Sequence, residues 1–511
     1  HASTSISSAL GIAKARDLQK KSYHVVAVIG DGSLSGGLAF EGLNNLGIHS
    51  TDMTVILNDN EMSIAENVGA LSRYLTRIIT DKHYNKIKGD VWELLGNMSN
   101  VGKTIRSMVH NIDKQLKRLM TPDKFFEDMG IRYIGPLDGH NINELIGVLK
   151  FAQQSPPGPL LIHALTKKGK GYSFAENNAT KFHGIDKFSI NTGNVTSNLL
   201  PIPTYSKIFG KALVELADKH DNIVAITAAM PDGTGLDYFK DKFPKRFFDV
   251  GIAESHAVTF AAGLARQGLK PVVAIYSTFL QRAYDQIVHD VALDKLHIVF
   301  CIDRAGLVGD DGPTHHGSFD ISFLRSIPGV VIMAPSNEVE LRNMLHTALN
   351  NINVPVFIRY PRGPGRGIPV KNPMSSISLF QPAIISKGKR CAIISIGEYL
   401  KIAEDVCCIL KKHSIKPTLI DARYAKPLDK DFYLKIFQKH SHIITIESNS
   451  LIGGFGSAIL ELSTKLKEKS KIMTLGYPDN FITHGTVKKL LEHLNLTPES
   501  IAKSIVSFID S

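Results

Sequence analysis

One stretch, residues 25–64, constrains the fold of this chain more than any other: VVAVIGDGSLSGGLAFEGLNNLGIHSTDMTVILNDNEMSI. The apolar run 25–29 reads as a buried strand that stops at Gly30-Asp31-Gly32. A helical pattern follows through Leu38, Phe40 and Leu43, and a second apolar run, 53–57, ends in Asn58-Asp59-Asn60. Strand, helix and strand at this length make a crossover between parallel strands. Both polar tips then fall at the carboxyl ends of their strands, where open α/β sheets hold ligands. Gly30 and Gly32 suit a tight turn and the close approach of a phosphate. The helix after Gly32 offers free N–H groups and a positive dipole end to an anion. Asp31 and Asn60 supply the hard oxygens that Mg²⁺ prefers.

GDG alone reads as an ordinary βα turn with a capping aspartate. Joined to NDN at the end of the next strand, it resembles the diphosphate-binding motif of thiamine diphosphate enzymes. A chain of 511 residues has room for about three domains. A hydrophobic content of 43% with 21% charged residues is that of a globular protein, and every apolar run is well short of the ~20 residues that span a bilayer. The net charge of +11 suits acidic partners such as phosphorylated metabolites. It is spread along the chain, which argues against nucleic acid. Cys301, Cys391, Cys407 and Cys408 lack CxxC spacing and read as small buried apolar residues of a reducing compartment. The chain opens on His1 rather than Met, inside what reads as a site, and the expectation is a fragment.

Ser3 or Thr4 is the expected cap of a helix that runs through Lys14. Residues 70–125 read as a solvated basic helical insertion. Gly102-Lys103-Thr104 is no phosphate loop, because Gly96 is misplaced and no strand leads in. A strand over 160–164 runs into Thr166-Lys167-Lys168-Gly169-Lys170-Gly171-Tyr172, a loop suited to an anion, with His183 beyond it. Residues 175–203 read as a linker. A second α/β series follows, with strands over 223–227, 247–250, 272–276, 298–302, 330–334 and 356–359. The Gly/Pro-rich run 361–369 marks another boundary, and a third series has strands over 391–396, 417–421, 442–447 and 471–475. The fold class is α/β, three consecutive open-sheet domains: 1–195, 196–370 and 371–511.

The middle series carries a second constellation. Glu254, in GIAESHA, stands just past a strand at the start of an Ala/Gly-rich helix. An acid there commonly serves only the helix dipole. The functional reading is a buried carboxyl bonded to the aminopyrimidine of thiamine, favouring the imino form of the exocyclic nitrogen that activates the thiazolium. Phe279, in YSTFLQR, suits stacking on a flat heteroaromatic ring, and Arg282 suits a phosphate or carboxylate. The loop Asp303 to Gly317 is too polar to be buried without purpose. Its paired His315-His316 reads as hydrogen bonding to substrate rather than as zinc, since no third ligand stands at a recognisable spacing. Arg359 and Arg362, in RYPRG, offer two more guanidinium groups.

Together HASTSIS, GDGSLSGGLAFEGLNN, ILNDNEMSIAENVGAL, TKKGKGY, GIAESHAVTFAAGLA, AIYSTFLQRAYDQ, IDRAGLVGDDGPTHHG, RYPRG, GGFGSAILE and YPDNFITHG resemble the 1-deoxy-D-xylulose-5-phosphate synthase family, within the wider transketolase group. The resemblance implies a transferase of aldehyde or ketone residues. In that reaction pyruvate loses CO₂ on thiamine diphosphate, and the two-carbon unit left condenses with D-glyceraldehyde 3-phosphate, feeding non-mevalonate isoprenoid and thiamine synthesis. It implies a diphosphate-binding, a pyrimidine-binding and a transketolase C-terminal-like domain, and a homodimer in bacterial cytoplasm or plastid-type stroma. By position, Asp31, Asn60 and the Met62 carbonyl match the Mg²⁺ ligands, with Gly30, Gly32 and Lys168 (or Lys167) toward the diphosphate. Glu254 matches the pyrimidine partner and Phe279 its stacking platform. His1, His183 and His315 match active-site histidines, while Tyr276, Arg282, Asp311 and Arg362 match acceptor-substrate residues. The family has a further stretch before HASTSIS, carrying another histidine, and Ala2 replaces its usual Ser. Two other readings are a transketolase-type ketol transfer, which the DRAGLVG and YSTFLQR texts argue against, and a non-catalytic relative, which Asp31, Asn60 and Glu254 argue against.

Overall fold

The computed structural model describes residues 1–60, 69–71, 74–76, 124–185, 187–196, 202–370 and 373–510. Most of the 70–125 segment and Met62 lie outside the described residues. The chain divides into two compact units, His1–Ser197 with Gly251–Ala253, and Asn198–Val250 with Glu254–Ser511.

In the first unit, strands β1 (Val26–Gly30), β2 (Thr54–Asp59), β3 (Arg132–Asp138) and β4 (Leu160–Leu165) form a parallel sheet in the order β1-β2-β4-β3. The expected crossover is present: β1 pairs directly with β2, Gly30 opposite Asn58, and Asp59 lies opposite Leu165 of β4. This register brings the GDG, NDN and TKKGK tips side by side at the carboxyl ends of three adjacent strands. The helices Ser5–Leu18 and Gly37–His49 bury Ile6, Ala9, Ala13, Leu43 and Leu46 against Ile29, Val55 and Leu57.

Three local expectations are corrected. Thr4 occupies the N-cap position of the first helix, yet its side chain makes no capping bond, and the Ser3 hydroxyl donates instead to Ser33 O at 2.7 Å. Gly30 is extended at φ −81°, a conformation open to any residue. A Cβ there would meet nothing closer than Asn58 O at 4.0 Å, so no turn demands the glycine, and its small size keeps space open beside the strand end. The described part of 175–203 is no plain linker: Phe182 packs edge to face on Tyr172 and on Phe188, ring centroids 5.5 and 5.3 Å away, and Phe188 bridges Val195. His183 follows Phe182 directly in the chain.

In the second unit, β5 (Ile223–Thr227), β6 (Phe247–Asp249), β7 (Lys270–Tyr276), β8 (Val299–Asp303), β9 (Val331–Met333) and β10 (Val356–Arg359) follow the expected strands. A further sheet holds β11 (Ala383–Ser386), β12 (Cys391–Ser395), β13 (Thr418–Asp421), β15 (His442–Ser450) and β16 (Lys471–Tyr477). The strand between, β14 (Tyr424–Lys426), leaves its own sheet and pairs antiparallel with β9, giving the order β14-β9-β10-β8-β7-β5-β6. Cys301, Cys391 and Cys407 are buried and free, and Cys408 is exposed. Among the described residues, no helix is long and apolar enough to cross a membrane.

Candidate active site

In the first unit, β1 ends where the short helix Asp31–Leu34 begins, with Asp31 buried in its first turn. Its carboxyl is pushed up to about 7, first by burial and then by the hydrogen bond and charge of Asp59 beside it. Asp59 is in turn held by His163 Nε2 at 2.9 Å, and His163 Nδ1 meets the Tyr133 hydroxyl at 2.7 Å. The Thr166 hydroxyl donates to Asn58 Oδ1 at 2.9 Å, tying the NDN tip to the lysine loop. Crowded carboxyls of this kind are what a divalent cation would relieve. An Asp carboxylate, the Asn60 amide and a main-chain carbonyl make a hard-oxygen set suited to Mg²⁺. Among the described residues, no group of three His, Cys, Asp or Glu side chains is placed to hold a metal by itself.

The two candidate lysines have different neighbours. Lys167 is 52% exposed and pairs with Glu176 at 2.6 Å. Lys168 reaches His183 Nδ1 at 2.7 Å. Burial holds its ammonium below the usual range, opposed by the attraction of Asp31. Lys168 is therefore the lysine within electrostatic reach of the GDG aspartate. His183 is also held below its ordinary value, by burial and then by Lys168. His1 is exposed at the chain start.

In the second unit, Glu254 opens the helix Glu254–Arg266 and is 2% exposed. Burial raises its carboxyl above the usual range against the pull of Arg282. Arg282 Nη1 lies 2.9 Å from Glu254 Oε2, close enough for an ion pair. The contact is not aligned as a hydrogen bond, and among the described residues that buried oxygen has no hydrogen-bond partner. An orphaned carboxyl oxygen of this kind costs stability unless a ligand satisfies it. It fits a pyrimidine nitrogen. Arg282, expected at the acceptor, is thus also the counter-charge of Glu254, a partnership the motif did not reveal.

Tyr276 closes β7 and stacks on Phe279, centroids 5.7 Å apart, while Phe279 meets His315 edge-on at 5.5 Å. The Arg304 guanidinium lies 3.6 Å from the Tyr276 ring centroid and donates to Gly233 O. Sequence reasoning passed over Arg304 as a functional side chain, although DRAGLVG displayed it. His315 is held below its ordinary value mainly by burial, with Asp311 opposing. Arg362 pairs with Asp311 and also donates to Val308 O at 3.2 Å. His316 departs from its expected role of meeting substrate: it is buried, and both its nitrogens are spent on main-chain groups.

Parallel sheets with ligand groups at their carboxyl ends, one bearing a cation-ready Asp–Asn tip and another a buried glutamate, define the transketolase-like class of thiamine diphosphate enzymes, which use a divalent metal. Residues 1–166 match the family model described as 1-deoxy-D-xylulose-5-phosphate synthase. Residues 202–366 match the transketolase pyrimidine-binding domain and 382–501 the transketolase C-terminal domain. A 1-deoxy-D-xylulose-5-phosphate synthase of Natranaerobius thermophilus is 51% identical over 508 residues, 99% of this chain and 80% of that protein. That of Clostridium acetobutylicum is 49% identical over 99% of this chain and 81% of its own length. Among solved structures, a split-gene transketolase, an inactive β4 tetramer, is 26% identical, with a TM-score of 0.54 over 60% of this chain and 98% of its own. The transketolase of Campylobacter jejuni, 17% identical with a TM-score of 0.50 over 99% of this chain and 81% of its own, shows the fold alone. The chain belongs to the 1-deoxy-D-xylulose-5-phosphate synthase family.

Proposed function

We propose that this chain condenses pyruvate with D-glyceraldehyde 3-phosphate, releasing CO₂ and forming 1-deoxy-D-xylulose 5-phosphate, the first step of the non-mevalonate isoprenoid route. The observation that carries this reading is the 51% identity, over 99% of the chain, to a protein of that name. Bound thiamine diphosphate supplies a carbon nucleophile and an electron sink for the decarboxylation. In our reading Asp31 and Asn60, with the Met62 carbonyl, hold Mg²⁺, and Gly30, Gly32 and Lys168 receive the diphosphate. Glu254 holds a proton at the pyrimidine ring, and burial raises its carboxyl above the usual range, which favours its holding that proton. Phe279 provides a flat face for the ring. His1, His183 and His315 orient substrate oxygens and move protons to them. Tyr276, Arg282, Asp311 and Arg362 receive the acceptor, the arginines at its phosphate. We take 1–195, 196–370 and 371–511 as the diphosphate-binding, pyrimidine-binding and C-terminal domains of a homodimer in the bacterial cytoplasm.

The test is CO₂ release from pyruvate in the presence of Mg²⁺ and thiamine diphosphate, with and without D-glyceraldehyde 3-phosphate. Release that depends on the acceptor is expected, and Glu254→Ala should lower it by at least about a hundredfold, the lower end of the range for a lost proton-transfer group. Turnover of a ketose phosphate donor without CO₂ release would instead establish a transketolase-type transfer. Cofactor binding without either reaction would establish a silent relative.

A further inference from the structure

The loop that carries Asp311 and His315 is closed at its neck by Gly306 and Gly317, each donating its N–H to the other's carbonyl at 2.8 Å. Across this neck His316 is 4% exposed. Its Nδ1 accepts the Val308 N–H at 3.1 Å, so that nitrogen carries no proton. Nε2 must then carry it, and it donates to Thr483 O at 3.1 Å, in the turn after β16. The same turn supplies the Gly485 N–H to Gly309 O at 3.4 Å. His484 packs beneath Gly312, where an added Cβ would lie 3.1 Å from the His484 Cβ. Loop and turn therefore meet at three successive points, and His316 is the side chain that makes the innermost one.

The next peptide group, which carries the Val308 carbonyl, touches the site. Its carbonyl accepts from Arg362, whose guanidinium also pairs with Asp311. One residue before His316, His315 lies against Phe279, and Thr314 O accepts from the Thr278 hydroxyl at 3.0 Å. The imidazole thus fixes Val308 through its N–H, while the carbonyl of the same residue, one peptide group on, helps fix a guanidinium.

We propose that His316 is a positioning residue: it latches the 307–316 loop to the 483–485 turn and so sets Arg362 and Asp311 in register for the phosphate-bearing acceptor. This rests on the acceptor role assigned to Arg362 above. An imidazole suits the task because, in one tautomer, it offers an acceptor and a donor on opposite sides of a rigid ring. A glutamine can offer the same pair from its amide, and a leucine offers neither.

The experiment measures KM for pyruvate and for D-glyceraldehyde 3-phosphate separately in the full chain and in His316→Leu, His316→Gln and His316→Asn. In H316L the acceptor KM should rise about tenfold while the pyruvate KM stays within about twofold, and H316Q should recover most of the loss. H316N is a smaller change and should show the same split in weaker form, so the comparison survives if H316L does not fold. Equal effects on both substrates, or no rescue by glutamine, would overturn the latch and leave His316 as core packing. An unaltered chain that makes no product from the two substrates would overturn the assigned reaction, and with it the acceptor role of the loop.

Discussion

Glu254 derives its chemistry from placement. A carboxyl on the surface would ionise near 4, but here burial raises it and a single guanidinium, Arg282, pulls it back. Removing that guanidinium while keeping a polar amide, Arg282→Gln, should let Glu254 rise further. The acidic limb of the kcat/KM profile should therefore move to higher pH, and a pH–rate series on the two proteins checks it. At this scale the sequence was legible wherever a motif fixed a residue's place on a strand end, as it did for Asp31, Asn60, Glu254 and Phe279. It was silent on partnerships between distant residues. Nothing in YSTFLQR announces that Arg282 faces Glu254, and nothing in NDN announces that His163 and Tyr133 stand behind Asp59. Lys167 and Lys168 were indistinguishable for a similar reason. Adjacent residues of an irregular loop point apart, and only the ion pair with Glu176 shows which of them is occupied elsewhere.

Elements were legible where burial is two-sided. The strands β5, β7, β8 and β10 are continuous apolar runs between breakers, the pattern parallel sheets impose. β3 was missed because RYIGPLD interrupts its apolar residues with glycine and proline, and β11 because its residues are largely exposed. Another element-scale feature, the capping of the helix Phe455–Lys465, involves a side chain on a neighbouring strand. Glu447 of β15 accepts the N–H groups of Phe455 and Gly456 at 2.6 and 2.7 Å. Burial still outweighs those donors and raises its carboxyl to about 7. Between the unfolded value near 4.5 and about 7, the folded chain therefore binds more protons than the unfolded one. This contribution is greatest at the acidic end and is lost as pH rises toward 7. Glu447→Gln should remove that slope. Urea midpoints should show the wild-type chain losing ground to the variant between pH 5 and 7 and running parallel to it above.

At the scale of the molecule, the second unit is tied together by buried polar contacts as well as by apolar packing. Arg359, at the end of β10 and 1% exposed, bonds to Asp320 at 3.0 Å and reaches Ser448 of β15 at 2.9–3.0 Å. Arg359→Ala would strand the buried Asp320 charge and should cost roughly 3–5 kcal/mol, the usual price of breaking such a pair from one side. Calorimetry should show the middle and C-terminal sheets melting in one transition, with that transition lowered in the variant. The division into three α/β series was readable from alternating runs and breakers. The sharing of a strand between the last two was not, because a three-residue strand carries no periodicity. That shared strand has a further consequence. β14 covers the backbone of β9 that would otherwise form the rim of a six-stranded sheet. A protein cut anywhere in the Gly/Pro-rich run 361–369 would lose it and expose a bare, apolar strand edge. Uncovered edges of that kind recruit other chains. The middle domain expressed alone is thus expected to self-associate, and a short tether restoring Tyr424–Lys426 to its rim should keep it monodisperse.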